Sequence, residues 1–213
     1  MKKILKNILA RLFPKQLILK RLNSKNSIAL TFDDGPYPIK TERLLGVLKN
    51  AGIKATFFIS GEEAEKHPKL IRKIKDGGHE IGNHGYQHKC ISKMPAKDYQ
   101  NGIELTARLI EQFGQTETNL FRPPYGELNL AILELIFWKK LVYAGWTIDS
   151  QDSCLKDSIG LIKTMRNTKI RGGDILLFHA DYDTTIDAMP EIIVDLKARG
   201  FELVTVSKLL GKC

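Results

Sequence analysis

The sequence predicts an α/β fold in which about seven parallel strands form a closed or nearly closed barrel. Short apolar runs rich in β-branched residues alternate with helical stretches after residue 26, which is the pattern of a sheet built from βα units. Glycines follow several helical stretches, where a helix ends and the next strand begins. About seven alternations of strand and helix are too many for a small two-layer fold. An open doubly wound sheet is the alternative architecture.

The candidate strands are short runs in which β-branched and apolar residues predominate. In chain order they cover residues 27–32, 54–59, 79–83, 119–122, 141–148, 174–179 and 201–205. The candidate helices have apolar residues at helical spacing. They lie near residues 40–50, 67–76, 95–113, 128–139, 157–168 and 185–199. Gly52, Gly77 and Gly200 stand at the predicted ends of three of these helices.

The charged residues divide the chain into two parts. No Ser/Gly/Pro-rich linker interrupts residues 27–213, which are predicted to form one domain after an amino-terminal segment, residues 1–26. That segment carries eight basic side chains and no acidic one, which leaves 25 basic against 24 acidic residues in the rest of the chain. A nucleic-acid-binding domain carries its positive charge on the folded body. The nearly neutral body therefore argues against nucleic acid as a partner.

The amino-terminal segment has the pattern of a basic amphipathic helix. Its apolar residues share one helical stripe over residues 4–12, and a second apolar cluster covers residues 17–22. This pattern fits contact of residues 1–22 with an anionic membrane surface, and it fits equally a helix docked over one end of the domain.

Lys6 and Arg11 interrupt any signal-peptide core, and no stretch reaches the roughly 20 apolar residues of a membrane span. A cytoplasmic protein, or one peripheral on the inner membrane face, is predicted.

Polar residues suited to catalysis follow most of the predicted strands. They are Asp33, Asp34, His84, His88, Arg122, Asp149, Asp152 and His179. In barrels and open α/β sheets the carboxyl ends of the strands meet at one edge, where active sites assemble. Five separate segments are therefore predicted to converge on one rim.

His84 and His88 are candidate metal ligands, because their spacing would place both imidazoles on one face of a helical turn. Asp34 completes a set of two histidines and one carboxylate, which leaves coordination positions open for water and substrate. A strand-ending turn also explains Asp34, since Asp, Gly and Pro favour turns. The adjacent carboxylates of Asp33 and Asp34 would nevertheless repel one another at a buried rim unless a divalent ion compensated one of them.

Arg122 and His179 extend this set of candidate residues. Arg122 could pair with Asp33 and keep that carboxylate correctly aimed, although the Arg-Pro-Pro-Tyr-Gly run over 122–126 also fits a rigid structural loop. His179 ends the apolar run over 175–178. It fits a general acid for a leaving group, and it fits a rim histidine that only makes hydrogen bonds.

Five segments resemble, in order, the motifs of the polysaccharide deacetylases, the chitooligosaccharide deacetylase or NodB homology domain. They are residues 31–36 (TFDDGP), 82–88 (GNHGYQH), 122–126 (RPPYG), 146–152 (WTIDSQD) and 176–179 (LLFH). The resemblance covers about residues 27–210. Each motif alone is a weak signal, whereas five in the family's order are a strong one.

The resemblance implies a distorted (β/α) barrel, similar to a TIM barrel, of about seven strands. It implies a hydrolase that removes an N-acetyl or other N-acyl group from an amino sugar of a glycan or glycan precursor. The implied cofactor is a divalent metal ion, with zinc, cobalt, nickel and iron all suited to a His/His/Asp site. The implied partner is an N-acylated amino-sugar glycan, and the basic amphipathic segment adds a lipid-linked sugar at the inner membrane face as a second substrate class.

The resemblance also assigns a role to each matching residue. Asp33 is the general base, His179 is the general acid, and the metal ligands are Asp34, His84 and His88. Arg122 orients Asp33, and Asp152 rather than Asp149 is the aspartate that tunes His179. The backbone amide of Tyr125 would help to hold the oxyanion, with Pro124 and Trp146 as neighbouring substrate contacts.

Three positions depart from the usual family pattern. The family usually has Ser or Thr at the position of Gly85, Trp at the position of Ser153 and often Asp at the position of Ala180. The catalytic set does not need these three residues, but the substrate groove is expected to differ, and Gly85 removes a hydrogen bond that would steady its loop. Two alternative functions are a catalytically silent carbohydrate-binding relative and an O-acetyl esterase that uses the same site. Because a silent binder needs neither base nor acid, the presence of Asp33 and His179 favours an enzyme.

Overall fold

The structure is a computed structural model that describes residues 16–211. The stripe predicted over residues 4–12 lies outside this range, so its contact with a membrane or with the domain stays a prediction. Within the described range, no helix is long and apolar enough to cross a membrane.

The described chain forms one sheet of nine short strands, all paired in parallel. The strands are β1 (Leu17–Ile18), β2 (Ser27–Asp33), β3 (Thr56–Ile59), β4 (Glu80–Asn83), β5 (Leu120–Phe121), β6 (Val142–Ala144), β7 (Ile148–Asp149), β8 (Ile175–His179) and β9 (Glu202–Val204). Hydrogen-bonded neighbours follow the order β1-β6-β5-β4-β3-β2-β8-β7, and β9 pairs with the first residues of β2.

Eight helices of the described chain connect or follow the strands. They are α1 (Lys40–Asn50), α2 (Gly61–Lys66), α3 (Pro68–Asp76), α4 (Ala96–Gly114), α5 (Leu130–Trp138), α6 (Ser158–Asn167), α7 (Asp183–Ala198) and α8 (Val206–Leu209). Most strands lead directly into a helix, which is why all the pairs are parallel.

The sheet curls into a barrel that the chain itself nearly closes. β6 is next to the last strand at one end of the strand order and β7 is the last strand at the other, yet only residues 145–147 separate them. The N–H of Gly145 donates to the carbonyl of Ile18 in β1 at 2.9 Å, and the N–H of Thr147 donates to the carbonyl of Ile175 in β8 at 2.9 Å. Four peptide steps span at most about 14 Å, so the two ends of the sheet approach one another. The predicted α/β barrel is confirmed, and the open sheet is excluded.

The same connection corrects the strand predicted over residues 141–148. The structure has two strands there, because the backbone of residues 145–147 leaves β1 and β5 and moves to β8. The run is mostly apolar on both sides of Gly145, so the sequence pattern does not mark the change of partner.

Three short elements, β1, α2 and α8, are absent from the sequence prediction because two, six and four residues are too few for a periodic pattern. β1 also bears on the amino-terminal segment. The side chains of Leu17 and Ile18 are buried against the domain through pairing with β6. These two side chains therefore pack on the domain, and membrane contact by the segment over residues 1–22 stays a prediction.

The alternation of side chains along β2 determines what reaches the inside of the barrel. Ile28, Leu30 and Phe32 pack in the layer between the sheet and the helices. Ala29, Thr31 and Asp33 point to the opposite face, because successive residues of a strand alternate. Small and polar residues thus line the inner face of β2, and the last of them is a carboxylate at the rim.

Candidate active site

Asp33 and Asp34 end β2 and point in different directions. Asp33 is the last residue of the strand, and its carbonyl accepts from the N–H of Ala180 at 3.1 Å. Asp34 leaves the strand with a φ of 75°, a left-handed conformation that is uncommon for residues other than glycine. The Ser60 hydroxyl donates to the Asp34 carbonyl at 3.3 Å. This turn separates the two carboxylates, so that each has its own partners.

Asp34, His84 and His88 form a compact group of ligand atoms. Asp34 Oδ1 lies 3.3 Å from His84 Nε2 and 3.2 Å from His88 Nε2. One ligand atom from each residue lies within 4.8 Å of the others. The sequence prediction that these three side chains come together is therefore correct in geometry, across a separation of 50 residues between Asp34 and His84.

Two atoms of this group indicate that a cation fits between them. Asp34 Oδ1 and His84 Nε2 are buried and have no hydrogen-bond partner among the described residues. A buried polar atom without a partner costs about 1–3 kcal/mol, and a divalent cation would satisfy both at once. His84 Nδ1 lies 2.7 Å from the backbone carbonyl of Arg122. This contact fixes the ring with Nε2 toward the site, as a metal-bound histidine requires.

The charges of the ligand set suit metal binding. Burial alone raises the pKa of Asp34, but the close imidazole of His84 and the charges of the other nearby histidines outweigh burial and lower the pKa. Burial lowers the pKa of His88 below its ordinary value. Asp34 is therefore ionised and His88 neutral near pH 7, the states that ligate a metal.

The histidines do not lie on a helical turn, contrary to the sequence expectation. Residues 84–88 form an irregular loop, in which Gly85 has a φ of 80°. The Asn83 side chain steadies this loop by accepting from the Gly85 N–H at 2.8 Å and donating to the Ile103 carbonyl at 2.9 Å. The bond from the Gly85 N–H to Asn83 Oδ1 thus holds this loop although residue 85 has no side-chain hydroxyl, and the left-handed φ explains the glycine.

Arg122 is buried inside the barrel and bonds to Asp33. Its Nη1 donates to Asp33 Oδ1 at 2.7 Å and to Thr31 Oγ1 at 2.8 Å. The other donors reach the carbonyls of Ala144 at 2.7 Å and Gly145 at 3.1 Å. The guanidinium also stacks 4.1 Å from the centre of the Phe58 ring. Four acceptors and one ring therefore fix the position from which Arg122 holds Asp33.

His179 and Asp152 form a second buried pair on the same rim. Asp152 Oδ1 lies 2.8 Å from His179 Nδ1, and Asp152 Oδ2 accepts from the His179 backbone N–H at 2.8 Å and from the Thr185 hydroxyl at 2.6 Å. Asp149 is exposed, and among the described residues its side chain accepts only a local bond from the Gln151 N–H. The geometry thus pairs His179 with Asp152, as expected, and leaves Asp149 outside the site.

The surroundings of His179 favour its charged form. Burial alone lowers the pKa of His179, but the hydrogen bond and charge of Asp152, with the charges of Asp33 and Asp34, outweigh burial and raise the pKa to about 9. Asp152 has its pKa lowered, because its bonds to His179 and Thr185 outweigh the effect of burial. His179 therefore carries a proton on its ring at neutral pH.

The loop after β5 places the remaining predicted residues at the same rim. Pro124 is buried, and Tyr125 is exposed with its ring centre 4.6 Å from that of His88. Gly126 has a φ of 58°, and a Cβ there would lie 2.5 Å from the Trp146 ring. Trp146 is half-buried, with its ring centre 5.7 Å from the Arg122 guanidinium. Tyr125 therefore borders a metal ligand and Trp146 borders Arg122, while Pro124 packs toward Gly85 between the two histidine ligands in sequence.

Three supporting residues are absent from the sequence prediction. Thr31 binds Arg122, Asn83 steadies the histidine loop, and Thr185 binds Asp152. Thr31 and Asn83 lie within the matched motifs, so their position in those motifs could have identified them as site residues. Thr185 lies outside them, so only the fold identifies it.

Known proteins share both this sequence pattern and this fold. The sequence model of the polysaccharide deacetylase family matches residues 20–141. The chain is 37% identical over 183 residues to the peptidoglycan-N-acetylmuramic acid deacetylase PdaC of Bacillus subtilis, covering 85% of the chain and 38% of PdaC. It is 34% identical to a peptidoglycan-N-acetylglucosamine deacetylase of Bacillus cereus, covering 88% of the chain and 90% of the relative. The chain thus spans well under half of PdaC and most of the B. cereus relative.

Solved structures agree with the fold. The structure of B. subtilis PdaC superimposes with a TM-score of 0.81 at 34% identity, covering 89% of this chain and 92% of that one. A carbohydrate esterase family 4 pseudoenzyme from Bacillus anthracis gives a TM-score of 0.82 at 25% identity, covering 89% of this chain and 66% of that one. The fold thus occurs in deacetylases and in a pseudoenzyme, so activity depends on the site residues.

Proposed function

This chain belongs to the polysaccharide deacetylase family, and we propose that it is a metal-dependent hydrolase that removes an N-acetyl or other N-acyl group from an amino sugar of a glycan. One observation supports the proposal above others. The ligand group Asp34, His84 and His88 lies on the same rim as the carboxylate of Asp33, which Arg122 holds, and the imidazole of His179, which Asp152 holds. A base, an acid and a cation site are the three requirements of metal-assisted amide hydrolysis.

The cation would be held by Asp34, His84 and His88, whose two unpaired buried atoms fit it. When bound, a divalent ion supplies a Lewis acid that polarises an acyl carbonyl and increases the acidity of water. Zinc is the proposed ion, and cobalt, nickel or iron would also suit two imidazoles and one carboxylate.

Asp33 is positioned to accept a proton as water attacks the acyl carbon. Its Oδ1 is held by Arg122 at 2.7 Å, while Oδ2 lies 3.9 Å from His84 Nε2 and so faces the ligand group. The bonded oxygen fixes the carboxylate plane, and the other oxygen is available for the proton. Arg122 thus acts by orienting the base.

His179 is positioned to protonate the departing amine of the sugar. Asp152 holds Nδ1 of its ring, which leaves Nε2 for the leaving group. Because its pKa is raised to about 9, His179 carries that proton at neutral pH. The backbone N–H of Tyr125 is the proposed partner of the oxyanion, since the Tyr125 ring lies against His88 and so places this residue beside the ligand group.

The substrate class rests on the relatives. The B. subtilis and B. cereus relatives are described as deacetylases of peptidoglycan N-acetylmuramic acid and N-acetylglucosamine. We propose a glycan that contains one of these sugars as the substrate. A lipid-linked sugar at the inner membrane face is the second proposed class, because the amino-terminal segment is basic and amphipathic.

The pseudoenzyme relative makes a carbohydrate-binding protein without activity the second candidate function. The two held pairs, Asp33 with Arg122 and His179 with Asp152, argue against it, because sugar binding alone does not need them. An O-acetyl esterase would use the same residues, and matched O-acetyl and N-acetyl substrates would separate the two reactions.

The experiment measures acetate release from acetylated chitooligosaccharides by metal-stripped protein, with and without added zinc or cobalt. We expect metal-dependent release that Asp33→Asn lowers by roughly 10²- to 10⁴-fold while metal still binds. Asp76→Asn, which changes an exposed carboxylate at the end of α3, is the control and should keep full activity.

Wild-type turnover in Asp33→Asn would show that the assigned base is wrong. Metal binding without acetate release would direct the search to formylated and lipid-linked sugars, and then to the silent-binder function.

A further inference from the structure

The loops that follow β2 and β8 meet beside the catalytic residues and carry two tyrosines that the proposed mechanism does not use. β2 and β8 are paired so that Asp33 lies opposite His179. The N–H of Ala180 donates to the Asp33 carbonyl at 3.1 Å, so the two loops leave the barrel rim side by side. Tyr37 lies in the loop after β2, and Tyr182 lies in the loop after β8.

Two further contacts fix these loops against each other. The ammonium group of Lys40 donates to the Asp181 carbonyl at 2.5 Å. Gly35 lies against Ala180, since a Cβ at Gly35 would be 3.4 Å from the Ala180 Cβ. The backbone that carries the two tyrosines is therefore held at the rim, and their rings have fixed attachment points next to the site.

The ring of Tyr182 lies beside the general acid. Its centre is 5.9 Å from that of the His179 ring, and the two rings are nearly perpendicular, at 87°. Asp152 holds Nδ1 of His179, so a sugar whose amine meets Nε2 lies beside the Tyr182 ring. The residues that follow Asp152 are Ser153 and Cys154, which carry no ring. Tyr182 thus supplies the aromatic surface next to the acid.

Both phenols face the ligand group and are free to bind a substrate. Burial and the charges of Asp34 and Asp181 raise the pKa of Tyr37, and burial with the charges of Asp181, Asp152 and Asp34 raises the pKa of Tyr182. Asp34 therefore lies within electrostatic reach of both phenols. Both side chains are half-buried, and neither hydroxyl has a hydrogen-bond partner within residues 16–211.

A sugar ring is the ligand that suits two unpaired phenols at an open rim. A tyrosine offers an apolar ring face to the C–H bonds of a pyranose, and its hydroxyl can donate to or accept from a sugar hydroxyl. We propose that Tyr37 and Tyr182 form the subsite for the amino-sugar ring whose amine His179 protonates, and that they are specificity-determining residues. This proposal rests on the proposed deacetylase function and adds to it the residues that select a sugar.

Variants that remove only the hydroxyls test the proposal in the zinc-loaded full chain. The measurement is KM and kcat for acetate release from an acetylated chitooligosaccharide. We expect Tyr37→Phe and Tyr182→Phe each to raise KM by about 3- to 10-fold, the effect of one lost hydrogen bond. Because this binding is the same before and during the reaction, kcat should stay within about twofold of the wild type. Tyr182→Ala, which also removes the ring, should raise KM by more than about tenfold.

Tyr99→Phe is the matched control. Tyr99 is buried in the core, and its hydroxyl has no hydrogen-bond partner among the described residues. The same chemical change there should leave KM at the wild-type value. Unchanged KM in the double variant Tyr37→Phe with Tyr182→Phe would overturn the proposal. A lower kcat with unchanged KM, together with a shifted alkaline limb of the pH–rate profile, would also overturn it, because Tyr182 would then only position His179.

A binding measurement separates this proposal from the deacetylase function. Calorimetric titration of zinc-loaded Asp33→Asn with the same oligosaccharide gives a Kd without turnover, and adding Tyr37→Phe or Tyr182→Phe should raise that Kd by the same factor as KM. If the wild type releases no acetate but these variants weaken binding, the deacetylase function is wrong and the sugar subsite is supported. If the wild type releases acetate and neither KM nor Kd changes in the variants, the subsite is wrong and the function is retained.

Discussion

Asp33 and Asp34 are neighbours in the chain but have different electrostatic partners. Asp33 bonds to Arg122 at 2.7 Å, and Asp34 lies near two imidazoles at 3.2–3.3 Å. The left-handed φ of Asp34 produces this separation, because it turns the second carboxylate away from the strand direction. Two adjacent aspartates can therefore serve different functions, one as the general base and the other as a metal ligand.

The pH dependence of turnover should reveal the Asp152–His179 pair. A general acid must be protonated, so activity is lost as pH rises through the pKa of His179, which is raised to about 9. Asp152→Asn removes the charge that raises this pKa and leaves the burial that lowers it. We expect the alkaline limb of the pH–rate profile to move to lower pH by roughly one unit or more. The measurement is kcat/KM against pH for the metal-loaded enzyme.

Asp149→Asn is the control for this prediction, because Asp149 is exposed and three residues from Asp152. Its alkaline limb should coincide with that of the wild type. If Asp149→Asn moved the limb and Asp152→Asn did not, the pairing of His179 would be wrong. An unmoved limb in both variants would indicate that His179 is not the acid.

The site residues differ in how well sequence can predict them. His84, His88 and Arg122 are chemically distinctive and lie in matched motifs, so their convergence could be predicted. Thr31 and Thr185 support the site through single hydroxyl bonds. A threonine has many ordinary structural uses, and its partners here lie far away in the chain. Only the folded geometry assigns these supporting contacts.

At the scale of elements, the loop after β5 should be sensitive to the size of one residue. Gly126 has a φ of 58°, and a Cβ there would lie 2.5 Å from the Trp146 ring. Gly126→Ala should therefore cost about 1 kcal/mol for the left-handed backbone and a further 1–3 kcal/mol, approximately, for overpacking. The measurement is the free energy of unfolding from denaturant titration, with KM for oligosaccharide as a second readout.

Gly200→Ala separates the two contributions to this cost. Gly200 also has a positive φ, 85°, but a Cβ there would meet nothing within 4 Å. It should lose only the backbone part and keep the wild-type KM. Equal destabilisation in the two variants would mean that the Trp146 ring yields easily and does not fix the loop.

Most elements could be predicted from the sequence, because a strand such as Ser27–Asp33 or a helix such as Lys40–Asn50 is long enough to show its period. Residues 141–148 could not be divided correctly, because β6 and β7 share one apolar run and differ only in their partners. α2 could not be found, because its six residues fill the space between β3 and α3 without a clear pattern. The division of residues 141–148 depends on which strands they pair with, and the presence of α2 depends on the elements around it. Neither follows from local sequence preference.

At the scale of the whole molecule, the curl of the sheet brings the site together. β2, β4 and β8 carry Asp33, Asn83 and His179 at their carboxyl ends. Arg122 crosses the interior from the end of β5 to Asp33 in β2, two strands that are not neighbours in the sheet. A flat sheet would keep these strands apart. The curl of the sheet, which residues 145–147 nearly close into a barrel, thus brings Arg122 and Asp33 together.

Metal binding should stabilise the whole fold, because its ligands come from two segments that only the folded barrel joins. Unfolding separates Asp34 from His84 and His88, so a metal present at about 100 times its Kd adds roughly 2.7 kcal/mol to the free energy of unfolding. For a domain of this size each kcal/mol raises Tm by about 2–4 °C. We expect the Tm of chelator-treated protein to rise by several degrees when zinc is restored.

The variant His84→Ala should lose most of this rise in Tm. The control His67→Ala, which changes a half-exposed histidine paired with Glu63, should retain it. A shift of equal size in His84→Ala would place the metal elsewhere on the chain.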